Sequence, residues 1–159
     1  MSEERASVVI IAVEAADQPE VCALLSQSDA YMASLYPAES NHLVDVGVLC
    51  APNVRFLVAR RGAGIMGCGA LVLGPAGEAE LKRMFVVPGA RGLRIGRQIL
   101  AALEAMARAE GVRVVRLETG VRQPEALGLY RSSGYVERGP FGSYQPDPLS
   151  AFFEKWLAT

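Results

Sequence analysis

The sequence predicts a mixed α/β fold on one sheet, with elements in the order βααβββαβαββ. Three observations carry this. Residues 54–87 hold three short apolar strands separated by Gly-rich turns, the pattern of an antiparallel meander. The segment ELKRMFVVPGARGLRIGRQIL, residues 80–100, passes from strand to helix through a turn of Pro, Gly and Arg. A further apolar strand, residues 112–119, follows that helix, so a helical crossover makes it parallel to the strand over 80–87.

In chain order, residues 7–13 read as a buried strand, short and β-branched. Asp17 with Glu20 resembles a capping box, and Pro19 suits a first helical turn. The helix then runs through Val21, Leu24, Leu25 and Ser28 towards Tyr31 and Leu35, and Tyr36-Pro37 ends it. Ser40 or Asn41 can cap a second, shorter helix with Leu43, Val46 and Leu49, closed before Pro52. The meander follows over 54–60, 65–73 and 80–87. Ile95, Ile99, Leu103 and Met106 share one face of the next helix, which Gly111 ends. A last helix over 124–132 stops at Gly134, and residues 135–138 and 151–157 read as closing strands joined by a Gly/Pro-rich loop.

A chain of 159 residues points to a single domain, 1–159, large enough to bury a core without disulfide or metal. A net charge of −1 argues against a broad basic surface for nucleic acid. The three cysteines, Cys22, Cys50 and Cys68, form no CxxC pair, so the expectation is reduced thiols in a cytoplasmic protein. His42 is the one histidine, which argues against a zinc site, and no metal is expected. The apolar run over 8–13 is too short to span a membrane, and it follows acids rather than the basic stretch of a signal peptide.

Lys82, Arg83, Arg91, Arg94 and Arg97 crowd one segment, with no acid between Leu81 and Leu103. Helix N-termini present unpaired N–H groups and a favourable dipole, and glycine lets a phosphate approach the backbone closely. Residues 91–97 therefore read as an anion site: the backbone of Gly92, Leu93, Arg94, Ile95, Gly96 and Arg97, with charge from Arg91, Arg94 and Arg97. No G-x-x-x-x-G-K-[ST] run and no G-x-G-x-x-G fingerprint is present.

Arg91, Arg94 and Gly96 follow the pattern Q/R-x-x-G-x-G/A, with Arg94 where the first glycine is usual. Met84, Val86 and Pro88 meet apolar-x-V-x-P before it. Gln123, Ala126, Leu129, Tyr130, Gly134 and Tyr135 match N-x-x-A-x-x-L-Y-x-x-x-G-F/Y, with Gln for the usual Asn. In these motifs and in element order the whole chain resembles the GCN5-related N-acetyltransferase (GNAT) superfamily, in its bacterial small-molecule-type subgroup. The resemblance implies acetyl-CoA as co-substrate, no metal, and direct transfer of acetyl to a primary amine of a small molecule. It also implies central strands splayed by a bulge, and, from the family's habit of pairing through C-terminal strands, a homodimer. The alternatives are a CoA-binding regulatory module without turnover, or transfer of another acyl group or to a protein amine.

The resemblance implies that Met84, Phe85 and Val86 meet the pantetheine arm through their main chain, that Gln123 touches the same arm, and that Tyr130 is the general acid. A lysine-like amine, with pKa about 10.4, is neutral in roughly one molecule per thousand at pH 7, so a base is needed. Glu80 stands where several family members place that base, and strand alternation puts it on one face with Lys82, Met84 and Val86. Glu118 is the second candidate. Each acid has a plainer reading: Glu80 as a strand-end acid paired with a neighbouring Lys or Arg, Glu118 as a partner of the loop at Arg122 and Gln123. The acceptor is expected between the first helices and the late loop, near Tyr36, Glu39, Ser40, His42, Phe141, Tyr144 and Asp147.

Overall fold

The computed structural model describes residues 8–40, 45–90 and 92–158. Its elements are β1 (Val9–Val13), α1 (Pro19–Leu35), α2 (Val46–Leu49), β2 (Val54–Arg61), β3 (Gly64–Leu73), β4 (Glu78–Val86), α3 (Ile95–Ala109), β5 (Val114–Gly120), α4 (Pro124–Ser132), β6 (Val136–Arg138) and β7 (Ser150–Trp156). The order is the predicted one. All seven strands join one sheet, β1-β2-β3-β4-β5-β7-β6, antiparallel except for the parallel pair β4–β5.

Both faces of the sheet are covered. Ile95, Ile99 and Leu103 of α3 are buried against Leu71, Leu81, Val115, Leu117 and Phe153. Val21, Leu24 and Leu25 of α1 are buried against Phe56, Val58, Cys68 and Phe85 on the other face. The helical spacing of Ile95, Ile99 and Leu103 thus identifies the inward side of α3.

Several boundaries differ from expectation, each for a local reason. The α1 capping box does not form: Gln18 is the N-cap, without a side-chain cap. Its amide instead donates to Glu14 Oε1 at 2.9 Å, while Glu20 is drawn to Arg60 at 2.5 Å. Helix α2 is capped by Asp45, whose Oδ1 accepts the Val48 N–H at 3.0 Å. Ser40 lies in a separate 3₁₀ turn, Ala38–Ser40, and Asn41, His42 and Leu43 lie outside the described residues. Strand β5 starts two residues late because the Val112 N–H still closes the end of α3 on Ala107.

The alternation expected for β4 is overturned. Ala70 pairs with Lys82 and Cys68 with Phe85, so Gly69 faces two residues, Arg83 and Met84. Arg83 sits at φ 57°, the left-handed region. This β-bulge shifts the strand's parity by one. Before it, Ala79 and Leu81 face α3; after it, Met84 and Val86 do, while Phe85 turns toward α1. Glu80 and Lys82 therefore do not share a face with Met84 and Val86.

Candidate active site

The bulge opens the sheet. β4 and β5 pair from Glu78↔Val114 to Leu81↔Leu117, and the pairing stops there. β5 continues on its other edge, with Glu118↔Phe152, Thr119↔Ala151 and Gly120↔Ser150. Two strands that diverge leave main-chain groups and a space between them. A cavity of about 90 Å³ fills that space, walled by Lys82, Arg83 and Met84 from β4, Glu118 from β5 and Tyr130 from α4. Gly69 makes the bulge feasible, since a Cβ there would lie 2.5 Å from the Met84 sulfur.

At one end of β4 the chain makes a 3₁₀ turn, Pro88–Ala90, and enters α3. Gly92 has φ +90°, with open space where a Cβ would stand. Arg94, at φ 58° and ψ 29°, is the N-cap, a conformation that costs a non-glycine residue about 1 kcal/mol. The Gln98 N–H closes the first helical bond, on the Arg94 carbonyl. The N–H groups of Ile95, Gly96 and Arg97 come before it and have no carbonyl four residues back within the helix. Ile95 and Phe85 are buried, whereas Leu93 is exposed. The Arg97 guanidinium donates to Ser132 Oγ at 2.7 Å, bracing α3 against α4. Arg91 lies outside the described residues.

Tyr130 is buried, 5% exposed, at the cavity wall and packs edge-on to Tyr135. Burial, and secondarily the charge of Glu118, pushes its phenol above the ordinary value. It is therefore protonated across the physiological range. Glu118 accepts a hydrogen bond from Ser150 Oγ at 2.8 Å. Glu80 is not among the cavity-lining residues. Its Oε2 accepts from the Tyr144 hydroxyl at 2.6 Å and lies 3.1 Å from Lys82 Nζ, the plainer reading given above. Lys82 also donates to the Tyr144 hydroxyl and sits 4.8 Å from its ring centroid. Burial and the bond to Glu80 hold the Tyr144 phenol above its ordinary value.

The expected acceptor residues divide. Tyr144 is brought to the β4 wall through Glu80 and Lys82, and its ring packs among Phe141 and Phe152. Ser40 Oγ donates to Asp147 at 2.8 Å, fastening the late loop to the segment after α1. Tyr36 lines the cavity, but its hydroxyl is committed to the β5–α4 loop. It donates to Gln123 Oε1 at 3.2 Å and accepts the Arg122 N–H at 3.0 Å. A Cβ on Gly120 would fall 1.9 Å from that oxygen, so glycine is required there. Glu39 is exposed and outside the cavity lining, and His42 is not among the described residues. Sequence reasoning overlooked Lys82 and Arg83 as cavity walls and Ser150 as the partner of Glu118. Beyond the bulge that the resemblance implied, the Gly67-Cys68-Gly69 run opposite β4 is the local signal that could have found the first two.

Burial pushes the Cys68 thiol up to about 12, partly offset by the Arg83 charge, so it is held as an unreactive thiol. Among the described residues no group of three or more His, Cys, Asp or Glu could hold a metal ion, and no helix is long and apolar enough to cross a membrane.

The acetyltransferase (GNAT) domain family matches residues 52–137, from the start of the meander to β6. An IAA acetyltransferase of Azospirillum brasilense is 51% identical over 150 residues, covering 94% of this chain and 98% of its own. A Klebsiella pneumoniae structure, solved as that of a candidate acyl-CoA N-acyltransferase, superposes with a TM-score of 0.81 at 38% identity, over 95% of this chain and 99% of its own. The fold is also that of a Thermoplasma acidophilum PaiA N-acetyltransferase in complex with coenzyme A, with a TM-score of 0.73 at 17% identity, covering 94% of this chain and 99% of that one. The domain match over half the chain, the 51% identical relative and the parted β4–β5 pair lead to one conclusion: this chain belongs to the GNAT family and is an N-acetyltransferase.

Proposed function

We propose that the protein transfers acetyl from acetyl-CoA directly to a primary amine of a small molecule. The observation that carries the reading is the β4–β5 gap, with Tyr130 and Glu118 on its walls and the helix-entry turn at the end of β4. That turn suits a pyrophosphate: three first-turn N–H groups, an open face at Gly92 and the guanidinium of Arg94. Met84 to Val86, where pairing with β5 has ended, leave main-chain groups for an extended arm. Acetyl-CoA supplies a thioester that a neutral amine can attack.

The chain's own residues then handle two protons. Glu118, on the cavity wall and oriented by Ser150, takes one from the acceptor ammonium, directly or through water. The amine nitrogen bonds to the acyl carbon as the carbon–sulfur bond breaks, and the new amide nitrogen releases its second proton to solvent. Tyr130, kept protonated by burial, gives its proton to the departing sulfur and recovers one from solvent. We assign the base to Glu118 rather than Glu80, because Glu80 is engaged by Lys82 and Tyr144 outside the cavity lining. The buried, protonated Cys68 argues against an acetyl-cysteine route, and three free thiols fit a reduced, cytoplasmic setting.

A thiol-release assay with acetyl-CoA across a broad amine panel tests the reading. One thiol should appear per acetylated amine, and Glu118→Gln should flatten the acid side of the pH–rate profile while Glu80→Gln keeps its shape. Acetyl-CoA binding without thiol release from any amine would leave a binding module.

A further inference from the structure

The cavity wall has two electrical poles. On β4, at the bulge, stand Lys82 and Arg83; across the gap, on β5, stands Glu118. The carboxylates that balance the two cations, Glu80 for Lys82 and Asp29 for Arg83, are not among the lining residues. Both cations are costly to keep there. The Arg83 side chain is 3% exposed, its backbone is left-handed, and its buried Nε has no hydrogen-bond partner among the described residues. The Lys82 side chain is 14% exposed and fixed by Glu80 and Tyr144. Two cations whose balancing carboxylates lie outside the lining thus give this wall a positive face, opposite Glu118.

We propose that the acceptor is an amine that also bears an anionic head group, carboxylate or phosphonate. The head group lies at the Lys82–Arg83 wall and the amine at Glu118. This deepens the proposed transfer to a small amine and rests on it. A second ammonium, as in a diamine, would meet like charge at the β4 wall. A carboxylate or phosphonate there accepts charge-assisted hydrogen bonds and points the amine across the gap.

The test compares acceptors on matched skeletons in the thiol-release assay. β-Alanine is set against β-alaninamide, 1,3-diaminopropane and 2-aminoethylphosphonate, and phenylalanine against phenylalaninamide. The acid should exceed its amide by about ten- to a hundred-fold in kcat/KM on the skeleton that fits, the gain expected of a hydrogen bond to a charged group. The carboxylate-to-phosphonate ratio identifies the head group. Lys82→Met should bring the acid-to-amide ratio to about one, and Lys82→Arg should restore it. Lys82 is the position to vary, since the more deeply buried Arg83 is the riskier one for folding. Amides or diamines used as well as acids, or a ratio unchanged in Lys82→Met, would overturn the inference and leave the transferase reading standing. If no amine releases thiol, both fall.

Discussion

The two ends of the β4–β5 gap are built by different means. The helix-entry turn is local: Pro88 to Gln98 supplies its 3₁₀ turn, its left-handed residues, its open N–H groups and its first helical bond. The other end, where we propose that the acceptor binds, is assembled from distant chain. Tyr144 meets Glu80 across 64 positions, Tyr36 meets Gln123 across 87, and Ser40 meets Asp147 across 107. The first end presents main chain and is suited to a ligand part shared by many enzymes. The second presents side chains held by one another, so it can differ between relatives while the turn stays the same. Chemistry is expected where the two meet, at Tyr130 and Glu118.

The largest expected effect breaks that meeting point while sparing both ends. Tyr130→Phe keeps the ring that packs on Tyr135 and Phe153 and removes only the hydroxyl, the proposed proton donor. Turnover should fall by about a hundred-fold, the lower range for a positioned general acid. Affinity for CoA, measured by calorimetry, should stay within about two-fold, because the turn at Gly92 to Arg97 is untouched; RT ln 2 is only about 0.4 kcal/mol. Burial raises the phenol's pKa above 10.0, so its proton is retained below that pH and lost only above it. The wild-type rate should therefore show no alkaline fall before about pH 10. Equal turnover in Tyr130→Phe would remove the hydroxyl from the chemistry.

A smaller effect isolates the acceptor end. Gly120→Ala places a methyl 1.9 Å from the Tyr36 oxygen, in a position where that buried ring has little room to yield. The ring must move, and with it the bonds to Arg122 and Gln123 that fix the β5–α4 loop. Overpacking of this kind costs about 1–3 kcal/mol. Denaturant unfolding should show that loss, and KM for the acceptor should rise several-fold more than KM for acetyl-CoA. Equal rises would mean that the two ends are not separable.

This division also explains what could be read from the sequence. Strand and helix order, the inward face of α3 and the helix-entry turn depend on periodicity and on neighbouring residues, and all were legible. The parity shift at Arg83 was not. The resemblance implied a bulge, but a bulge is a relation between two strands, and only its glycine-flanked partner, Gly67-Cys68-Gly69, hinted at its position and so at the change of parity. That one residue moved Met84 and Val86 to the α3 side and separated them from Glu80. Tyr36 was read as an acceptor residue from its place after α1, but its contacts are with a loop more than eighty positions away. The capping box failed for a similar reason, since Arg60, forty residues on, binds Glu20.

The smallest effect sharpens the comparison at the turn itself. Arg94 holds a left-handed conformation that glycine adopts freely. Arg94→Gly relieves about 1 kcal/mol of native strain, against which glycine's greater freedom in the unfolded chain takes back part. The net gain should be a few tenths of a kcal/mol to about 1 kcal/mol in thermal or denaturant unfolding. If the guanidinium meets a CoA phosphate, the same variant should bind CoA a few-fold more weakly, with a shallower dependence on salt. The opposite signs on stability and affinity are the informative result. A residue that keeps a strained backbone and loses nothing on binding when replaced is a tolerated departure; one that trades stability for affinity belongs to the site. Unchanged affinity and salt dependence in Arg94→Gly would assign the whole anion site to the main chain, making the contrast between the two ends complete.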